Sequence, residues 1–311
     1  MPHIRSLRDG LPLFRTLNSE IRISIMELLY QEGPMRMSAI AQRLDITAGA
    51  LTPHVKALAD CGLLTFEMVS GKHGVQKLCI PTEENIIIET TQQQRAFNIY
   101  ETEIGVGQFT GFDIAPTCGI CTPEKVIGAL DDPSFFASPE RFDADVLWFS
   151  HGYVEYMLPC FLQPHQELVE MQLSMEISSE APGYSENWPS DIYFSLNGVS
   201  LGYWTSPGDY GRVQGIYNPD WWSREWNQHG LYAMLCINKK GTYMNGVRIG
   251  EATLGQLNIQ PGKALLFRIA SPEDAENCGG VTLFGHSFGN YPQDIRMRMQ
   301  YKEQGDEQGN L

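Results

Sequence analysis

Tryptophan beside carboxylate is the first combination in this chain that could do chemistry. All six Trp of the 311 residues lie between positions 148 and 226. Trp188, Trp204, Trp221, Trp222 and Trp226 sit in or beside stretches full of turn formers: APGYSENWPSD, GYWTSPGDYG and NPDWWSREWNQHG. A flat indole ring can cover the C–H face of a sugar while carboxylate and amide neighbours exchange hydrogen bonds with its hydroxyls. Two clusters have that composition: Trp204 with Asp209 and Tyr210, and Trp221-Trp222 with Glu225 and Gln228. Asn187, Trp188 and Asp191 make a third. These loops are expected to bind a small polar ligand, with carbohydrate the leading class. The plain alternative is that the rings only pack their own loops.

Other constellations fail on context. Gly285-His286-Ser287-Phe288-Gly289 matches the G-x-S-x-G nucleophile elbow, which needs a helix after the serine and a later histidine. Asn290-Tyr291-Pro292 follows instead, and no histidine occurs beyond His286. Cys118 and Cys121 have zinc-ligand spacing, but a structural zinc wants a second pair and no other C-x-x-C exists. The βαβ setting of a redox C-x-x-C is also missing. Asp131-Asp132 and Asp143-Asp145 are expected on solvated loops. No catalytic set, metal or cofactor is expected. The rival readings are a carbohydrate-active hydrolase with a regulatory head and two facing carboxylates about 5–9 Å apart, for which Glu180, Asp191 and Asp209 are the loop acids, and a body that serves only dimerisation.

The elements that must position these residues change character along the chain. From Ser19, Ile21, Ile25, Leu28 and Leu29 share a helical face that ends at Gly33-Pro34. Ser38 is expected to cap a second helix with Ile40, Ala41 and Leu44 inward. Leu51, Val55 and Leu58 mark a third helix, closed by Gly62. A hairpin follows: Leu63 to Val69, a turn through Lys72-His73, and Val75 to Ile80. Three helices and a glycine-tipped hairpin make a winged helix-turn-helix. Its third helix leaves Thr47, Ala48, Ala50, Thr52, His54 and Lys56 on the outer side. Small residues there let the backbone approach a major groove, Thr52 and His54 can reach bases or phosphates, and Lys56 can neutralise phosphate. Lys72 and His73 at the wing tip are placed for the DNA backbone or minor groove.

LTPHVKALADCGLL resembles the recognition-helix stretch of ArsR-type winged-helix repressors, whose pattern runs Ser-x-His-Leu and ends Gly-Leu-Val/Ile. Thr52 and His54 occupy its Ser and His positions, and Gly62-Leu63-Leu64 its end. The resemblance covers roughly residues 11–80 and implies binding of double-stranded operator DNA. Metal-sensing members carry Cys-x-Cys on the preceding helix; here Ser38 to Leu44 has no thiol. Pro53 departs from the pattern, so the recognition helix is expected to begin late or with a loosened first turn.

Beyond residue 96, short β-branched and aromatic runs alternate with turn formers. Val169, Met171, Leu173, Met175 and Ile177 against Glu170, Gln172, Ser174 and Glu176 is the clearest case. The expected architecture is α+β and multidomain. A winged helix-turn-helix (1–82) is followed by a linker or helix (83–96), an all-β sandwich of jelly-roll type (97–302) and a flexible tail (303–311). The sandwich loosely resembles galactose-binding-like and carbohydrate-binding jelly rolls.

Charge divides the same way. Nine of 22 Lys/Arg and seven of 37 Asp/Glu lie in residues 1–80, so the head carries +2 and the remainder −17. A body so acidic would repel phosphate, which suits a near-neutral head that touches DNA and a body that takes a small effector. One recognition helix reads few base pairs, so a homodimer with heads about 34 Å apart is expected. No run approaches the roughly 20 apolar residues of a membrane helix, and no signal peptide is visible. Seven unpaired-looking cysteines are expected reduced, in the cytoplasm.

Overall fold

The computed structural model describes residues 3–4, 7–71, 74–82, 87–88 and 98–303. The chain forms two compact units, Met1–Gln94 and Arg95–Leu311.

The first unit runs β1 (His3–Ile4), α1 (Leu11–Leu17), α2 (Glu20–Glu32), β2 (Met35–Arg36), α3 (Met37–Arg43), α4 (Ala48–Asp60), β3 (Leu64–Gly71), β4 (Gly74–Pro81) and β5 (Ile87–Ile88). The apolar stripes meet as their spacing requires: Ile25 and Leu29 of α2, Ile40 of α3, and Leu51, Val55 and Leu58 of α4 are buried in one cluster. Gly33 ends α2 at φ 78°, and Gly62 follows α4 at φ 73°, backbone angles that only glycine adopts without strain. β3 and β4 pair antiparallel down to Gly71 opposite Gly74, and Met35–Arg36 adds a third short strand against Leu78 and Cys79.

Four details differ from expectation. Ile21 is exposed because α2 turns its inward face through Ile25 and Leu29. An additional helix, α1, precedes the expected three. α3 starts at Met37 with Arg36 in the capping position, so Ser38 lies inside the first turn. Ile87–Ile88 is a strand paired in parallel with His3–Ile4, not helix; most of the 83–96 segment lies outside the described residues, as do Lys72, His73 and 304–311 of the tail.

The second unit contains β6 (Asn98–Ile104), β7 (Phe109–Cys121), β8 (Val146–Leu158), β9 (Gln166–Ser178), β10 (Ser190–Leu196), β11 (Val199–Ser206), β12 (Leu231–Asn238), β13 (Gly241–Met244), β14 (Val247–Gly250), β15 (Leu265–Ser271), β16 (Val281–Phe284) and β17 (Ile295–Glu303). All pairings among them are antiparallel, in the order β11-β10-β15-β8-β16-β9-β12-β13-β14, with β7 on β8 and β6-β17 on β9. Two long strands branch. Along one edge, β8 pairs β16 through Val146–Phe149 and β15 through Gly152–Leu158. β9 likewise serves β16 through Glu176–Ser178 and β17 through Gln166–Ser174. At the far ends Gly202 of β11 and Gly250 of β14 come together so closely that a Cβ on either would lie about 2 Å from the other strand's carbonyl oxygen. The body is thus a large antiparallel sheet that nearly closes on itself.

Period-two alternation decides which face of these strands enters the core. Cys118 and Ile120, Leu147 and Phe149, Leu173, Met175 and Ile177, and Val281 and Leu283 fill the main core. Their neighbours Cys121, Val146 and Phe284 point to the other face, where they join Trp222 and Phe288 in a second cluster. Ser174, Glu176 and Ser178 of β9 are buried although the alternation marks them as a solvent face. Loops cover that face, and the candidate ligand site lies there.

Candidate functional site

The nucleic-acid candidate is the outer side of α4. Thr47 caps the helix: its Oγ1 accepts from the Ala50 N–H at 3.2 Å. Thr47, Ala48, Ala50, Thr52 and Lys56 are exposed and His54 is half-buried. The helix begins at Ala48 with its cap intact and runs through Pro53, so it does not start late. Proline has no N–H, which leaves the Gly49 carbonyl without its helical donor. The Thr52 hydroxyl donates to Ala48 O at 2.8 Å one residue upstream. With its proton spent, Thr52 Oγ1 presents only lone pairs outward, suited to a base amino group rather than a phosphate. In the wing, Lys77 lies 4.8 Å over the Phe66 ring. Lys72 and His73 fall outside the described residues.

The body holds a cleft partly open to solvent. Its walls come from six places in the sequence. β7 supplies Thr117, the turn beyond it Leu130 and Asp131, and β8 Trp148. The segment after β9 gives Glu180 to Gly183, the loop before β12 Trp222, Trp226 and Asn227, and β16 Thr282. Trp148 lies flat against Gly119 of the neighbouring strand, where a Cβ would come within 2.3 Å of the ring. Trp222 packs edge to face on both other indoles, 6.0 Å from Trp148 at 78° and 4.9 Å from Trp226 at 76°. The three rings therefore make a cornered apolar wall. Trp222 is fixed by its own N–H, which donates to Asn227 O at 2.7 Å.

Opposite the indoles stands Glu180, whose two oxygens accept from Thr117 Oγ1 at 3.3 Å and Thr282 Oγ1 at 3.1 Å. Burial, with Asp209 and more weakly Asp131 adding like charge, holds the Glu180 carboxyl well above the usual carboxylate range. Asp209 is fully buried, and loss of solvent pushes it up to about 8 although the Ala181 N–H donates to its Oδ2 at 2.9 Å. Asn227 is anchored by donating to Ser178 Oγ at 2.8 Å and Thr282 Oγ1 at 3.2 Å. Asp131 Oδ1 accepts from Cys118 N at 2.9 Å, which fixes this carboxylate at the rim.

Of the residues in the three expected ligand clusters, Trp222 alone lines the cleft, where it is joined by Trp226 from the same loop. Trp221 stands behind it, donating to Pro123 O at 2.6 Å and meeting Phe288 edge to face. Asp209 supports Glu180 from the interior. Gln228 ties the loop to itself, donating to Ser223 O and Trp226 O at 2.8 and 2.9 Å. Asp191 is a staple: Thr205 Oγ1 and the Asn277 backbone and amide donate to it. Tyr210 stacks on His229 at 5.2 Å, and Trp204 packs against the main core. Asn187, Trp188 and Glu225 are exposed and not in the cleft wall. Trp148, Glu180, Thr117, Thr282, Trp226 and Asn227 carry the site instead. In the sequence Glu180 stands out only as a hydrolase acid, and Trp148 lies outside the turn-rich Trp stretches.

The remaining constellations have structural roles. Gly285, His286 and Ser287 donate their N–H groups to Asp145, at 2.7 Å to its carbonyl and 2.9 and 2.7 Å to its carboxylate. The next element is β17, so no helix follows Ser287. Cys118 enters the main core and Cys121 the second cluster, because residues three apart on a strand face opposite ways. Burial pushes both thiols up to about 12. Asp131 is not merely a solvated loop residue: it lines the cleft.

Among known proteins, residues 19–68 match the model of the MarR family, which covers α2 through most of β3. The head is a winged helix-turn-helix, and the ArsR-type likeness concerned the same segment. No curated protein matches the chain. Among solved structures it is similar to "Crystal structure of Agl-KA catalytic domain", at 10% identity and a TM-score of 0.26, over 50% of this chain and 21% of that one. The chain thus spans about a fifth of the length of that protein. No helix among the described residues is long and apolar enough to cross a membrane.

Proposed function

We propose that this chain is a DNA-binding transcriptional regulator that acts as a homodimer in the cytoplasm and senses a small polar effector in the Trp148–Glu180 cleft. The observation that carries the DNA-binding part is the MarR match combined with the capped, outward-facing start of α4. Small residues occupy the helix start, Thr52 and Lys56 are exposed, and every large apolar residue of the helix is turned inward. The head's charge of +2 against −17 in the body supports contact with phosphate through the head alone. The alternating strands and doubly covered β8 and β9 support a body of jelly-roll sandwich type.

Binding of the full-length protein to DNA from upstream of its own coding region tests the first part. Specific retardation that weakens steeply with salt is expected. Replacing Thr52 and His54 by Ala should weaken it at least about tenfold with an unchanged melting temperature. No preference over random duplex at low salt would defeat the proposal.

Carbohydrate remains the leading frame for the effector, because indole faces beside carboxyl, hydroxyl and amide groups suit a hydroxylated ring. We take the cleft as a binding site and not a hydrolytic one. Asp191 is fully engaged, Asp209 is sealed inside, and Asp131 is tied to Cys118. A glycoside panel turned over by pure protein would reverse that choice.

A further inference from the structure

The cleft has an imbalance between donors and acceptors that narrows its ligand. Among the described residues, no Lys, Arg or His lines it, whereas Asp131 and Glu180 do. A third carboxyl, Asp209, stands behind Glu180. Asn227 spends its amide N–H groups on Ser178, Ser179 and Thr282. Its buried Oδ1 has no donor, and neither does Oδ1 of Asp209. Thr117 and Thr282 donate their hydroxyls to Glu180 and so offer lone pairs to anything else. Trp148, Trp222 and Trp226 complete the wall with rings whose faces are electron-rich. The carboxyl, hydroxyl and amide side chains around the cleft thus offer mainly acceptors or negative charge, and no cationic side chain among the described residues balances them.

Resting on the reading of this cleft as the effector site, we propose that it takes a small organic cation bearing a protonated amine, with the ammonium held by Glu180 and Asp131 against the indole faces. An anion would meet only like charge. A neutral polyol could donate hydrogen bonds but would leave the charge of Asp131, and that of Glu180 once ionised, uncompensated. An ammonium supplies both N–H donors and positive charge, and a desolvated ammonium over an indole gains cation–π attraction as well. An amino sugar would satisfy these demands while keeping a face for Trp stacking.

Proton linkage gives the proposal a sign. The charged or titratable groups facing Glu180 are Asp209 and Asp131, both acidic, and the buried Cys118 thiol, and its hydrogen-bond partners Thr117 and Thr282 are neutral. Burial and like charge make Glu180 hold its proton to higher pH than an ordinary carboxyl. An arriving ammonium favours the ionised form, so binding of an amine that stays protonated, such as putrescine, should release a proton to solvent and tighten as pH rises toward the range where Glu180 ionises.

Matched probes on the full-length protein test this, with tryptophan fluorescence for affinity and calorimetry in buffers of different ionisation enthalpy for proton release. The pairs are glucosamine with glucose and putrescine with 1,4-butanediol; glucuronate and succinate are the anionic probes. At least about tenfold tighter binding of the amines, with proton release, is expected at pH 7. Glu180→Gln should remove both the preference and the release. Should that variant not fold, proton release by the native protein still decides. Equal binding of an amine and its neutral twin, or tighter binding of an anion, overturns the cation while the cleft remains an effector site. Silence from all three classes overturns both.

Discussion

Two carboxyls buried side by side, Glu180 and Asp209, make stability depend on pH with a definite sign. Asp209 ionises at about 8 in the fold, against 3.8 as its ordinary value. Between those limits the unfolded chain gives up this proton while the folded chain keeps it. Stability is therefore complete below about pH 4, falls as pH rises through the window, and levels off above 8. Glu180 acts in the same direction because its carboxyl is also raised. The loss is expected to be on the order of a few kcal/mol for Asp209. Asp209→Asn keeps an acceptor for the Ala181 N–H and carries no charge, so its stability should fall less between pH 5 and 8. Urea unfolding midpoints of both proteins at the two pH values check this; parallel slopes would show that Asp209 is not the titrating group. Composition could point to these acids but not to their tasks. Asp191, Asp209 and Asp145 look alike in sequence, each a carboxylate in a turn-rich stretch. One is held by Thr205 and Asn277, one is sealed under Ala181, and one holds the 285–287 turn. Partners 14 to 142 positions away decide among them, and local pattern does not reach that far.

At the scale of elements, α4 and β9 show what periodicity conveys and what it hides. The i, i+4, i+7 spacing of Leu51, Val55 and Leu58 located a helix and its buried face, as α4 shows. Pro53 misled because its cost does not forbid the helix: the Thr47 cap and the buried face outweigh one missing hydrogen bond. Pro53→Ala restores a donor for the Gly49 carbonyl, and should stabilise the protein by about 1–3 kcal/mol in thermal unfolding, unless the helix in fact tolerates the proline without loss. In β9 the alternation identified the core face and set Ser174 and Glu176 on the opposite one, which would meet solvent if nothing covered it. Loops bury them instead: the N–H groups of Gly230, Asn290 and Tyr291 converge on the Glu176 carboxylate at 2.8–2.9 Å. Such convergence is invisible along a strand, and so was the cleft built beside it from six separated stretches. The close pairing of Gly119 with Trp148 gives this level its own test. Gly119→Ala puts a methyl into the indole, at a cost of about 1–3 kcal/mol, and should displace Trp148 and weaken effector binding without unfolding the sheet. An unchanged Trp fluorescence spectrum and unchanged binding would mean that the ring has room to yield.

For the whole molecule the question is how an acidic sensor and a nearly neutral head act on each other. If effector binding changes operator affinity by some factor, operator must change effector affinity by that same factor, because both are legs of one thermodynamic cycle. Typical couplings of 1–3 kcal/mol correspond to roughly 5–150-fold. The expected measurement is therefore double: operator affinity with and without saturating effector, and effector affinity with and without operator, both on the full-length protein at one salt concentration. Salt must be fixed because phosphate contacts by the head weaken steeply as ionic strength rises, whereas a buried ammonium–carboxyl contact is screened far less. The two factors should agree within error. Trp222→Ala removes the ring that both other indoles lean on and should abolish the effector's influence while leaving effector-free operator binding within about twofold. Should operator binding fall equally with or without effector, Trp222 would be holding the body together and not transmitting occupancy. Should the native factors disagree, a further equilibrium such as dimer dissociation must enter the cycle, and protein concentration would then shift the apparent coupling.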